Sequence, residues 1–168
     1  MADPFVRLED GTFHMWYIFG VAWKPFENGS APDRVYKIGH AVSDDGVQWR
    51  KPEDGRQVVA GVLGSDESQA MPSVVKIGDS FHMFFCFRES FDFRTNRERG
   101  YRIGHADSED LSEWRRDDAV ALLEVTEGAW DSDMLCYPHV FAMDGRVYML
   151  YNGNEFGRLG FGAAVLEW

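Results

Sequence analysis

Phe13-His14-Met15-Trp16-Tyr17-Ile18-Phe19 and Phe81-His82-Met83-Phe84-Phe85-Cys86-Phe87 are near copies of one another, and Val147-Tyr148-Met149-Leu150-Tyr151 is a weaker third. Each follows a proline-centred segment: Asp3-Pro4-Phe5-Val6, Met71-Pro72-Ser73-Val74 and Tyr137-Pro138-His139-Val140. Two copies run on into Tyr36-Lys37-Ile38-Gly39-His40-Ala41 and Tyr101-Arg102-Ile103-Gly104-His105-Ala106, then into turns that end at Trp49 and Trp114. The period is roughly 67 residues, far too long for a helical solenoid.

Within each copy, short apolar runs alternate with turn chemistry, the pattern of an antiparallel meander. The runs are 4–8, 13–19, 35–42 and 47–51 in the first copy and 72–77, 81–88, 100–107 and 112–116 in the second. The third has 138–142, 146–151 and 159–166 and lacks a fourth. Turn signals such as Asp44-Asp45-Gly46, Gly78-Asp79 and Asp144-Gly145 separate them. Met83-Phe84-Phe85-Cys86-Phe87 is apolar at every position, which a strand does when both faces of its sheet are dry. A radial array of blades produces that situation, and a single sandwich of about eleven strands does not require the repeat. The expected fold is all-β: one domain over residues 1–168, made of β-propeller blades at about 1–53, 65–118 and 131–168, the third without its outer strand. Very little helix is expected. Two polar inserts, 20–34 and 89–99, occupy the same place in copies one and two and are candidate functional loops.

The 168 residues carry a formal charge of −11, which disfavours nucleic acid and anionic membrane surfaces. No apolar run is long enough to span a bilayer, and Met1-Ala2-Asp3-Pro4 has no signal-peptide character. A cytoplasmic location is the default expectation, although a secreted form with its signal removed reads the same. Cys86 and Cys136 lack metal-type spacing and read as small buried hydrophobes, not a redox pair.

In a propeller the first strand of each blade lines the central channel, so acids at those strand starts gather at one mouth. Glu67 lies five residues before Pro72, Asp133 five before Pro138, Asp131 seven before Pro138, and Asp3 directly before Pro4. The odd offsets put all four carboxylates on one face if the segments are extended. Paired carboxylates serve glycoside cleavage, one protonating the leaving oxygen and the other activating water or attacking carbon. Acids before a strand also serve as turn and capping residues, the alternative reading. Arg88, at a strand end and near Arg94, Arg97, Arg99 and Arg102, is placed to grip a carboxylate or phosphate. Trp130, Tyr137, Asn152, Asn154 and Glu155 have the ring and amide chemistry that holds sugars, and Trp16 and Trp23 are further candidate rings. Trp49 and Trp114, and the repeated pairs His14/His82 and His40/His105, read as structural. No metal ligand set and no cofactor is implied.

These motifs resemble the five-bladed β-propeller glycosidases and their relatives: arabinanases, β-xylosidases, invertases and mannoside phosphorylases. The resemblance is carried by Asp3-Pro4-Phe5-Val6 before Phe13-His14-Met15-Trp16-Tyr17, by Ile-Gly-His-Ala used twice before Ser43-Asp44-Asp45-Gly46-Val47-Gln48-Trp49 and Ser108-Glu109-Asp110-Leu111-Ser112-Glu113-Trp114, and by Tyr151-Asn152-Gly153-Asn154. It implies three acids from successive blades acting as base or nucleophile, modulator and general acid. On that likeness Asp3 resembles the modulator and Glu67 the acid. Five blades at this period need about 330 residues, and no blade before Met1 carries the base. The expectation is therefore a carbohydrate-binding or carbohydrate-processing protein whose catalytic set is incomplete in one chain. A glycoside hydrolase completed by oligomerisation and a non-catalytic interaction module are the alternatives. Open blade edges lead to an expected homodimer.

Overall fold

A computed structural model of the protein describes residues 1–25 and 33–166, without the side chains of residues 53 and 54. The middle of the first polar insert, residues 26–32, lies outside the described residues. The chain forms three antiparallel sheets. β1 (Ala2–Glu9), β2 (Thr12–Lys24) and β3 (Asp33–Ser43) make the first; β4 (Glu67–Ile77), β5 (Ser80–Glu89), β6 (Arg102–Ser108) and β7 (Arg115–Arg116) the second; β8 (Cys136–Met143), β9 (Arg146–Asn152) and β10 (Phe161–Leu166) the third. Each sheet is a simple meander, and among the described residues the third has three strands, in the order β8-β9-β10. The expected fourth strand of the first sheet is reduced to one bridge, Val42 to Arg50. Beyond it, Val58 N–H donates to the Ile38 carbonyl at 2.9 Å, so an irregular segment covers the outer edge of β3 instead. Among the described residues helix is confined to short 3-10 segments and one turn, Asn154–Gly157.

The apolar run of β5 is explained by what lies on either side of it. Met83, Phe85 and Phe87 join Trp16, Ile18 and Ile38 of the first sheet in one core cluster. Phe84 faces the opposite way, in a second cluster with Val140, Met149 and Tyr151 of the third sheet. The middle sheet is therefore dry on both faces, with β4 touching both β1 and β8. The indole of Trp114 meets Trp16 edge-on across the first of these interfaces, with ring centroids 5.7 Å apart.

The repeated residues recur as repeated contacts. Gly39 and Gly104 pair with Tyr17 and Phe85 on the neighbouring strand. A Cβ on Gly104 would stand 2.7 Å from the Phe85 ring and 2.8 Å from Asp118 Oδ1, so the aromatic ring lies over bare backbone. The histidine after each glycine pairs with the other repeated histidine, His14 Nδ1 to His40 Nε2 at 3.1 Å and His82 Nδ1 to His105 Nε2 at 3.0 Å. In the turns that follow, Asp45 Oδ1 accepts from the Val47 and Gln48 amides, and Asp110 Oδ1 from the Ser112 and Glu113 amides. Trp49 and Trp114 each donate to a backbone carbonyl in their own turn, that of Gly46 and that of Leu111.

Candidate functional site

The three prolines mark one device. Asp3, Met71 and Tyr137, each directly before proline, have φ of +50°, +50° and +59°. Each sits in a break of register, between Ala2 and Phe5, Ala70 and Ser73, and Cys136 and His139. Proline has no N–H to give to a ladder, so a bulge is where a strand tolerates it. The left-handed conformation before it is strained, at roughly 1–3 kcal/mol for a non-glycine residue. Three such bulges at equivalent places turn the starts of β1, β4 and β8 away from regular pairing.

The end of β2, the start of β3 and the β5–β6 and β9–β10 connections lie at the same end as these bulges, and between them opens a cleft of about 550 Å³. Its rings are Trp23, Tyr36, Phe93, Tyr101, Tyr137 and Phe156, and its polar groups are Asp33, Arg34, Arg88 and Arg94. Tyr36 and Tyr101 are equivalents in the repeat, each opening its Tyr-x-Ile-Gly-His motif. Phe156 lies in the turn after β9, held with Glu155 at positive φ, and stacks on Tyr137 with centroids 6.2 Å apart. It also meets Phe93 and Tyr101 edge-on, so that rings from two blades close over one another. Burial drives the Tyr137 hydroxyl up to about 12, with the Asp3 charge pushing the same way and Arg88 opposing. Burial also raises the Asp3 carboxyl above its ordinary value.

Arg88 is 3% exposed and lines this cleft. Its guanidinium lies 3.5 Å from the centre of the Phe93 ring, and Nη1 donates to the Glu89 carbonyl at 3.0 Å. Of the basic cluster, Arg88 and Arg94 reach the cleft. Arg99 instead pairs with Glu89 at 3.4 Å, and Arg102 holds the carbonyls of Tyr101, Asp133 and Arg97.

The four carboxylates singled out in the sequence do not converge. Glu67 is fully buried at the start of β4, where it accepts from the Val62 and Leu63 amides, Gln69 Nε2 and Arg116 Nη1, the last at 2.6 Å. Burial raises its pKa, but the bonds from Leu63, Gln69, Val62 and Arg116 outweigh that and hold it below the ordinary value. Both oxygens of Glu67 are thus bonded within the chain, to the segment before β4, to β4 itself and to β7. Asp131 is buried under the third sheet, with Oδ2 accepting from Tyr151 Oη at 3.3 Å and Thr126 Oγ1 at 3.4 Å. Asp133 is exposed in the loop before β8, not in a strand, so its offset from proline does not make it the spatial counterpart of Glu67. It lines a second recess of about 360 Å³ that shares Phe93, Arg94 and Phe156 with the main cleft and also holds Glu155.

The amides and Trp130 have internal partners. Asn154 Oδ1 accepts from the Asp133 and Met134 amides at 2.8 and 3.2 Å, tying the loop before β8 to the turn after β9. Asn152 Nδ2 donates to the Phe156 carbonyl, and Glu155 pairs with Arg158. Trp130 stacks on Tyr151 with centroids 5.5 Å apart and covers Gly153 and Gly162, where a Cβ would clash with it. Of the candidates, Trp23, Tyr137 and Arg88 line the main cleft, and Asp3 acts electrostatically on Tyr137. Arg34, Tyr36, Phe93, Tyr101 and Phe156 were not singled out. Both cysteines are buried, and Cys86 Sγ donates to the Ala70 carbonyl. Among the described residues no helix is long and apolar enough to cross a membrane.

The comparisons with known proteins agree with this architecture. No protein-family model matches the chain. It is 39% identical over 169 residues to the uncharacterized protein Rv1502 of Mycobacterium tuberculosis, covering 99% of this chain and 51% of that one. The chain thus spans about half the length of the curated relatives it matches. Among solved structures it is similar to Zg3597, a family 117 glycoside hydrolase of the marine bacterium Zobellia galactanivorans, with a TM-score of 0.74 at 18% identity over 97% of this chain and 50% of that one. A thermostable family-43 glycoside hydrolase gives a TM-score of 0.70 at 16% identity over 99% and 54%. The fold is that of the β-propeller glycosidases, in three antiparallel blades.

Proposed function

We propose that this chain is a carbohydrate-binding part of a glycosidase-like propeller and that sugar binds in the cleft at the blade mouth. The observation that carries the reading is the cleft itself: six aromatic rings and four charged side chains, on a fold shared with glycoside hydrolases. Rings cover the apolar face of a sugar while charged and phenolic groups bond its hydroxyls. Asp3, at the bulge that opens β1 and acting on Tyr137 of the cleft, is the acid proposed to give a proton there; Glu67 is better suited to tying β4 to β7 and to the segment before it. The catalytic set is then incomplete in this stretch of chain, and turnover needs carboxylates from elsewhere.

The open faces fit such a partial arc. Pro4, Val6 and Leu8 of β1 are exposed on the side of the first blade away from the second, beside a recess lined by Met15, Tyr17, Ala41 and Trp49. On the third blade Met143, Phe161 and Val165 are exposed. These faces call for further blades, supplied by more chain or by a second copy in a homodimer.

A panel of nitrophenyl glycosides, assayed alongside sugar binding, tests the reading. Sugar binding without release supports a binding part. Release that disappears in Asp3→Asn but survives in a folded Glu67→Gln supports the enzyme reading with Asp3 as proton donor. Neither binding nor release refutes both.

A further inference from the structure

Among the described residues, Arg34, Arg88 and Arg94 line the cleft with one carboxylate, Asp33, in a chain whose net charge is −11. Asp33 Oδ2 accepts from Arg94 Nη1 at 3.2 Å and stands 3.9 Å from Arg88 Nη2, so two guanidiniums share one oxygen. Arg34 donates to the Tyr36 hydroxyl at 2.9 Å and lies over the Trp23 ring, 4.7 Å from its centre. Among the described residues, Arg88 Nε has no hydrogen-bond partner although it is buried. A buried guanidinium with an unsatisfied edge costs free energy unless an acceptor completes it. The Phe93 ring at 3.5 Å fixes the plane of that guanidinium before any ligand arrives.

Resting on the reading of the cleft as a sugar site, we infer that the sugar it takes carries an anionic substituent, a uronate carboxylate or a phosphate ester, bound by Arg88 with Arg34 and Arg94. Both groups offer two acceptor oxygens at the spacing of a guanidinium edge, and Lys, a point charge, offers no such fork. The surrounding rings explain why the anion is sugar-borne: a free ion uses the arginines and leaves the aromatic walls bare.

The experiment is calorimetric titration of the protein with galactose and galacturonate, glucose and glucuronate, mannose and mannuronate, glucose 6-phosphate and inorganic phosphate. The expected result is that the acid of at least one pair, or the sugar phosphate, binds about tenfold or more tightly than its neutral partner. Arg88→Lys should erase most of that preference while circular dichroism stays native. Should Arg88→Lys fail to fold, Arg34→Gln at the rim should reduce the preference, and added salt should weaken the acid's binding but not the neutral sugar's. Equal affinity within every pair overturns the anion inference and leaves the cleft reading intact. Inorganic phosphate binding as tightly as the sugar phosphate overturns the sugar-borne assignment. No binding by any sugar overturns the cleft reading as well.

Discussion

Lowering the pH should loosen this fold through its histidine pairs well before its carboxylates titrate. His40 is 5% exposed, with its ring against both His14 and Trp16 at centroid distances of 5.2 and 5.3 Å. Burial, with a smaller repulsion from His14, lowers its pKa from 6.5 to about 4. His14, His82 and His105 shift in the same direction, and burial is the largest cause in each. The bonding pattern admits at most one charged ring in each pair. His105 Nδ1 faces the Asp117 carbonyl at 3.1 Å and must donate, so when neutral it accepts at Nε2 from His82 Nδ1. Protonating His105 forces His82 into its other tautomer, and protonating both sets two N–H groups against each other. Since the folded state holds these groups neutral, the unfolded chain binds more protons between about pH 4 and 6.5, and stability falls as pH drops through that window. For His40 alone the full difference is roughly 3 kcal/mol, of which about 2 kcal/mol is lost between pH 7 and 5. Urea unfolding at pH 7, 6, 5 and 4 measures it, and His40→Gln should flatten the slope by a similar amount. An unchanged midpoint between pH 7 and 5, or a His40 resonance that titrates near 6.5, refutes the reasoning.

Gly104→Ala should cost about 1–3 kcal/mol in chemical denaturation, because the new methyl meets Phe85 and Asp118 inside normal contact distance; a neutral result contradicts the strand-to-ring packing. Arg116→Met removes the cation from fully buried Glu67 and should destabilise by roughly 3–5 kcal/mol, with the Glu67 carboxyl rising above its present lowered value. A melting temperature unchanged from the parent protein counts against that network. In light scattering coupled to size exclusion, the chain should run as a dimer at micromolar concentration, and a well-behaved monomer argues against mutual covering of the open blade faces.

What could be read beforehand follows from what repeats. Residues used twice, such as Ile-Gly-His-Ala and the Ser-x-Asp turn to Trp, fix the blades because each copy meets the same neighbours, Gly39 under Tyr17 and Gly104 under Phe85. Counting back from proline assumes regular extended chain, which the bulge at Met71 interrupts between Glu67 and Pro72, and Asp131 and Asp133 lie in a turn and a bend before β8 starts at Cys136. The cleft was half legible: Tyr36 and Tyr101 repeat, and Asp3 and Tyr137 precede the marked prolines. Phe93 and Phe156 occur once each, on connections without periodicity, and Arg34 lies at the start of β3, outside the repeated Tyr-x-Ile-Gly-His motif. Their meeting depends on the packing of blades, which local pattern does not encode.

Two-dimensional nuclear magnetic resonance of the indole N–H groups, recorded during titration with the sugar that binds best in the calorimetric series, tests the cleft most directly. Trp23 lines the cleft, while Trp114 lies between blades and Trp49 on the open face of the first. Saturable shifts at Trp23, with Trp49 and Trp114 unmoved, are the predicted result. Shifts confined to Trp49, or sugar binding that leaves Trp23 untouched, would contradict the placement of carbohydrate at the blade mouth.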